Sequence, residues 1–229
     1  MKVVFFDCWW TLIKPAREDY SDYLISLRIE YLRQKTSLPE EKIREALLRT
    51  REVVEALYPR EVPVEEAGRF LSLFLGKGDS SLGRVYPETT RKLPVSLLPG
   101  VKETLEFLKG KGIRTGIISN TPYGDVEKEK LKELGVLELI DYPVFSIDVG
   151  VRKPEPGIFL YALKRAGMDA QDAVHIGDRK DADVDGAKNL GIFSVLVKTG
   201  ENTDGIHEPD LVVNDLHEFV EFLKKGGIP

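Results

Sequence analysis

The chain has 229 residues, of which 42% are hydrophobic and 31% charged; that is enough for one large domain, or a domain with a smaller insert, and argues against disordered or fibrous architectures. Its 33 Lys plus Arg face 38 Asp plus Glu, a net charge of −5, the wrong sign for a surface built to neutralise nucleic-acid phosphates. The longest apolar runs fall far short of the ~20 residues that span a bilayer, so neither nucleic acid nor membrane is an expected partner.

The first apolar run, Val3 to Phe6, reads as a strand and ends at Asp7. It is too short for a signal peptide, whose apolar stretch needs roughly 7 to 15 residues. A cytoplasmic location is expected, and the single cysteine, Cys8, agrees, since alone it forms neither an intrachain disulfide nor a multi-cysteine zinc site.

From Pro15 to Pro94 no strand pattern appears, and helical periods replace it. Tyr20, Tyr23, Leu24, Leu27 and Tyr31 form one apolar stripe, most of it expected in a core, with one or two members facing a substrate. Ile43, Ala46, Leu47, Thr50, Val54 and Leu57 form a second, whose helix is expected to start at a capping box of Ser37 and Glu40. A third helix is expected from Val64 to Leu75, stopped by Gly76. Beyond Pro99-Gly100, strand-like runs (Arg114 to Ile118, Val144 to Ile147, Val174 to Ile176, Phe193 to Val197, Leu211 to Val213) alternate with helical periods such as Val101, Leu105 and Leu108. The fold class predicted is α/β, a parallel sheet core with an inserted helical unit. Nothing in the pattern selects an oligomeric state.

Ligands of open α/β sheets bind at the carboxyl ends of the strands, and that is where the reactive residues fall. Asp7 follows the first strand, Ser119-Asn120 the second, and Gly177-Asp178 the run Val174 to Ile176, while Lys153 precedes a helix. This set suits phosphoryl transfer. Asp7 and Asp178 can chelate Mg²⁺, a hard cation that takes one or two carboxylates plus water and phosphate. Ser119 and Lys153 can bind the remaining phosphate oxygens, and Asp183 can orient a metal-bound water. Each residue also has a plainer role: Asp7 and Asp178 as caps, Ser119-Asn120 as a strand-ending turn, Lys153 at the surface. Asp181 and Asp185 are expected to be solvated helix residues and His175 a packed strand residue, while Arg152 and Arg179 either assist phosphate binding or face solvent.

In order, Asp7-Cys8-Trp9-Trp10-Thr11-Leu12, Ser119-Asn120, Lys153-Pro154, and Gly177-Asp178 with Asp183 resemble the four motifs of the haloacid dehalogenase superfamily over most of the chain. The resemblance implies a Rossmann-like, doubly wound core (residues 1–14 and 95–229) and a helical cap (15–94). It further implies a Mg²⁺-dependent phosphatase acting on a small phosphorylated molecule through an aspartyl-phosphate. Asp7 is then nucleophile and metal ligand, with the Trp9 main-chain carbonyl and Asp178 also on the metal and Asp183 acting through water. Ser119, Asn120, Lys153 and Trp9 would contact the substrate.

The motif departs at two positions. The superfamily's phosphatases carry an acid where Trp9 stands, and indole offers neither a usable proton nor a lone pair; loss of such an acid typically slows a reaction by ~10² to 10⁴. Trp10 replaces a glycine, so the turn is either altered or carries a large ring over the site. The resemblance therefore also admits a 2-haloacid dehalogenase, whose branch has an aromatic or apolar residue at this place and needs no metal. A ligand-binding or regulatory protein with vestigial catalysis is the third reading.

Overall fold

A computed structural model describes residues 1–200 and 203–228. Its elements in chain order are β1 (Val3–Phe6), β2 (Ile13–Pro15), α1 (Tyr20–Thr36), α2 (Glu40–Ala56), α3 (Val64–Leu75), α4 (Val85–Lys92), β3 (Val95–Leu97), α5 (Val101–Gly110), β4 (Arg114–Ser119), α6 (Gly124–Glu133), β5 (Tyr142–Phe145), α7 (Ser146–Val149), α8 (Pro156–Ala166), β6 (Ala173–Gly177), α9 (Asp185–Lys188), β7 (Phe193–Val197), β8 (Leu211–Val213) and α10 (Leu216–Lys224). Six strands form one sheet in the order β5-β4-β1-β6-β7-β8, every pairing parallel. The expected α/β doubly wound core is thus what the chain forms.

Both faces of this sheet are covered, which is why its strands are nearly continuous apolar runs rather than alternating ones. Val4 and Phe6 pack with Leu105 and Leu108 of α5 and Phe219 of α10. The intervening Val3 and Phe5 point the other way, onto Ile158, Phe159 and Ala162 of α8. Because β1 lies between β4 and β6, the residues that end these three strands meet at one edge despite their separation in sequence.

A two-stranded antiparallel ribbon, Ile13 opposite Leu97 and Pro15 opposite Val95, brackets the helical unit. Helices α1 to α4 have a core of their own around Ile29, Leu32, Ile43, Leu71 and Val85. The stripe on α1 is not mainly core as expected: Tyr20, Tyr23, Leu24, Leu27 and Tyr31 are all half-buried, Tyr20 and Leu24 line a cavity, and the helix buries Ile29, Leu32 and Thr36 instead.

Two local expectations fail for identifiable reasons. Ser37 does not begin α2: it ends α1 in the left-handed conformation (φ 55°), its N–H on the Arg33 carbonyl, and α2 starts at Glu40 with Pro39 as its N-cap and no side-chain cap. The strand read as Val144 to Ile147 stops at Phe145, where Ser146 starts α7 and the Asp148 carboxylate accepts from the Phe145 N–H at 3.2 Å.

Candidate active site

Asp7 leaves β1 with its N–H on the Ile176 carbonyl of the neighbouring β6, 2.8 Å away, which fixes where its side chain emerges. The Lys153 ammonium, 2% exposed, donates to Asp7 Oδ1 at 2.5 Å and to Asp183 Oδ1 at 2.7 Å. Asp183 Oδ1 also meets His175 Nε2 at 2.8 Å, and Asp183 Oδ2 accepts from the Arg179 N–H at 3.1 Å. Among the described residues the buried His175 Nδ1 has no partner, and burial holds the imidazole below its ordinary range, so its proton belongs on Nε2, donated to Asp183. Lys153 is thereby anchored from one side by Asp183 and presented to Asp7 on the other.

The charges in this cluster do not balance. Asp7, Asp178 and Asp183 are buried around one ammonium. Burial pulls the Lys153 ammonium down, but Asp183 and Asp7 outweigh it and leave it raised. Asp183 is held low because Lys153 and His175 overcome the effect of burial. Asp7 is pushed up to about 6 by burial against the pull of Lys153, and Asp178 up to about 8 by burial and by the charges of Asp7 and Asp183. Among the described residues Asp178 makes no ion pair; the nearby Lys153 charge only partly offsets the effects that raise it. Hard oxygens short of positive charge fit a small divalent cation. Among the described residues no three His, Cys, Asp or Glu side chains make a closed metal cage; two carboxylates and a main-chain carbonyl suffice for an ion that keeps several waters.

The other expected site residues are placed as follows. Ser119, 1% exposed, ends β4 and donates to Glu127 Oε1 at 3.2 Å. The Asn120 amide clasps the Lys153 main chain: Oδ1 accepts from its N–H at 2.7 Å and Nδ2 donates to its carbonyl at 3.1 Å. Asn120 therefore positions Lys153 while still lining the adjoining cavity. The Trp9 indole donates to Glu127 Oε1 at 2.9 Å. Trp10 keeps the left-handed turn that a glycine would supply, at φ 62°, a conformation that disfavours a side chain by about 1–2 kcal/mol. Its ring meets Tyr20 edge-on at 6.0 Å, and its carbonyl accepts from the Thr199 hydroxyl.

Glu127, on α6, is the residue that reading the sequence missed. It is 1% exposed, and burial and the nearby Asp7 charge push its carboxyl up to about 7. One oxygen holds both Trp9 and Ser119, and the buried Cys8 thiol lies beside the carboxylate. The side chain of Arg152 is taken up by Glu61, at 2.9 and 3.2 Å, and that of Arg179 by Asp181, at 2.6 Å, so neither points a free guanidinium at the site. Asp185 is not solvated as expected: it is 5% exposed and accepts from the N–H groups of Ile206 and His207.

The helical unit is stitched to the loop that carries Lys153. The Tyr58 hydroxyl donates to the Lys153 carbonyl at 2.9 Å, the Glu61 N–H to Gly150 at 2.8 Å and the Arg152 N–H to Pro59 at 2.9 Å. The Glu61 carboxylate, 3% exposed, takes the Arg152 guanidinium and the Ser146 hydroxyl.

Comparison with known proteins adds five findings. A family model described as haloacid dehalogenase-like hydrolase matches residues 1–191. A glyceraldehyde 3-phosphate phosphatase of Methanocaldococcus jannaschii is 34% identical over 157 residues, 66% of this chain and 68% of that protein. The chain spans only about half the length of further archaeal relatives of that name, 50–56%. Among solved structures, a phosphatase from Thermococcus onnurineus superposes with a TM-score of 0.69 at 27% identity, covering 97% of this chain and 98% of that one. A 2-haloacid dehalogenase from Pseudomonas syringae pv. Tomato DC3000 superposes at 0.76 with 24% identity, covering 99% of each chain, a likeness of fold.

Proposed function

The chain belongs to the haloacid dehalogenase-like hydrolases, and from that premise we propose that it is a Mg²⁺-dependent phosphatase that cleaves a small phosphorylated molecule through a phosphoaspartate on Asp7, with residues 15–94 as its cap. The observation that carries this reading is the Lys153 ammonium held between Asp7 and Asp183 at the carboxyl edge of the sheet, with the buried Asp178 carboxyl pushed up to about 8 by burial and by its acidic neighbours.

In the first half-reaction an Asp7 carboxylate oxygen attacks phosphorus, and the bond to the leaving oxygen breaks with its electron pair on that oxygen. Water then attacks phosphorus and the bond to Asp7 breaks, regenerating the carboxylate. Lys153 lies against Asp7 and stabilises negative charge gathering on the transferring group, the kind of preorganised electrostatics that dominates such reactions. Asp183, His175 and Asn120 keep the ammonium in place. The Ser119 hydroxyl, which donates its one proton to Glu127 in this structure, would rotate to donate it to a phosphoryl oxygen instead. Asp7, Asp178 and the Trp9 carbonyl would hold Mg²⁺, with Asp183 acting through water, and the ion would supply positive charge against the anionic substrate.

The test is hydrolysis of p-nitrophenyl phosphate by the purified protein. Turnover is expected with Mg²⁺ and should fall by about 10²-fold or more in EDTA, returning when Mg²⁺ is restored. Dehalogenation is the second reading, because halide leaves without a proton and Trp9 supplies none. Halide release from 2-haloacids that persists in EDTA, without phosphatase activity, would replace the first reading with this one. Phosphate and metal binding without either turnover would mark a regulatory protein.

The missing acid makes its own prediction. Trp9→Asp should raise turnover of alkyl phosphates by about 10²-fold, and that of p-nitrophenyl phosphate, whose leaving group hardly needs a proton, far less. Equal changes on both substrates would show that proton delivery is not what limits the enzyme.

A further inference from the structure

Two chambers adjoin at the helical unit. One, about 280 Å³, has Trp9, Asn120 and Glu127 on its wall. The other, about 390 Å³, is walled largely by Ile25, Leu47, Val54 and Val62. Tyr20, Leu24, Arg28, Pro122 and Tyr123 line both, so a molecule gripped beside Asn120 has an apolar space next to it and Arg28 where the two meet.

The arginines of these chambers are not equivalent. Arg44 and Arg51 are paired with Glu40 and Glu55 of their own helix, at 2.8 and 2.6 Å. Arg28 makes no ion pair among the described residues. Its guanidinium lies 5.2 Å from the Tyr86 ring centroid, and its Nε is buried with no acceptor among the described residues. Buried donors are almost always hydrogen-bonded, and a guanidinium presents a fork that matches carboxylate or phosphate. The fold leaves that fork open in a cavity whose wall includes Trp9, Asn120 and Glu127 of the candidate active site.

We propose that Arg28 is a second anion site: the substrate is a phosphate ester with an apolar body and a further oxyanion, carboxylate or phosphate, that pairs with the Arg28 guanidinium. This rests on the phosphatase reading of the same cavity. Apolar contacts with Leu24 and its neighbours take the body of the molecule, and Arg28 selects for the far charge.

The test is calorimetric binding to the Mg²⁺-supplied protein of three phosphonate series of increasing chain length: alkylphosphonates, ω-carboxyalkylphosphonates and alkane bisphosphonates. At one length a molecule with the second anion should bind about 10-fold or more tightly than the uncharged analogue, and Arg28→Leu should reduce that ratio to about 2-fold or less. The carboxylate and bisphosphonate arms tell which oxyanion is preferred. No advantage at any length, or an advantage that survives in a folded Arg28→Leu protein, overturns the proposal. Should Arg28→Leu fail to fold, the uncharged Arg28→Gln decides: loss of most of the advantage supports the subsite, and an unchanged ratio refutes it. The two readings fail separately. Wild-type protein that hydrolyses p-nitrophenyl phosphate but shows no second-anion advantage refutes only the subsite. Protein that shows the advantage but cleaves none of the matching phosphate esters keeps the subsite and refutes the phosphatase.

Discussion

Asp7→Asn should lower turnover of p-nitrophenyl phosphate by at least about four orders of magnitude and at the same time raise the thermal midpoint of the metal-free protein. The loss follows because an amide oxygen is too poor a nucleophile to form the phosphorylated intermediate. The gain follows from the surroundings: Asp7 is buried beside Asp178, Asp183 and Glu127, and its carboxyl is pushed up to about 6. An amide of the same shape removes one of these like charges, and its oxygen still accepts from Lys153. A stabilisation of about 1 kcal/mol, or roughly 2–4 °C for a chain of this size, is expected. Steady-state kinetics and calorimetric unfolding in EDTA read the two effects. Residual activity near the wild-type level would mean that Asp7 is not the nucleophile, and a lower midpoint would mean that its charge is better compensated than the geometry implies.

Lys153→Met should reverse the second sign. The ammonium is 2% exposed and is the cation that touches both Asp7 and Asp183. Removing one partner of a buried ion pair leaves uncompensated charge and destabilises by about 3–5 kcal/mol, and losing a donor aimed at the developing phosphoryl charge lowers turnover by about 10²–10³ or more. Combining the two substitutions should be less damaging to stability than their separate effects imply, because Asp7→Asn removes part of the charge that Lys153 offsets. Unfolding measurements on the four proteins give that coupling directly. Simple additivity would show that Asp7 and Lys153 do not sense one another.

What could be read in advance was whatever depends on strand ends. Asp7, Ser119 and Asp178 each follow a run of buried apolar residues, and parallel pairing of β4, β1 and β6 was enough to bring them together. Glu127 had no such marker. It sits in a helix of alternating charges, Gly124 to Glu133, where a solvated glutamate is the ordinary expectation, and its partner Trp9 is 118 positions away. Arg28 was hidden likewise, one turn beyond Leu24 on a helix whose tyrosines and leucines periodicity assigns mostly to a core, although Tyr20 and Leu24 line a cavity. Ser37 and Glu40 matched a helix-start pattern, yet the chain needs a left-handed residue to leave α1, and Ser37 meets that need instead. Local patterns failed where a distant contact or a turn geometry decided the outcome.

The seam between Tyr58–Glu61 and Gly150–Lys153 has a thermodynamic consequence. The main chain of Lys153 is held by Asn120 from the sheet and by Tyr58 from the helical unit, both on the same carbonyl. The reactive ammonium and the helices that line the cavity therefore share one set of hydrogen bonds. Any displacement of the helices that strains this seam changes the free energy of the Lys153 loop, and linkage makes the relation reciprocal. A ligand gripped among α1 to α4 biases Lys153, and occupation of the strand edge biases the helices by the same amount.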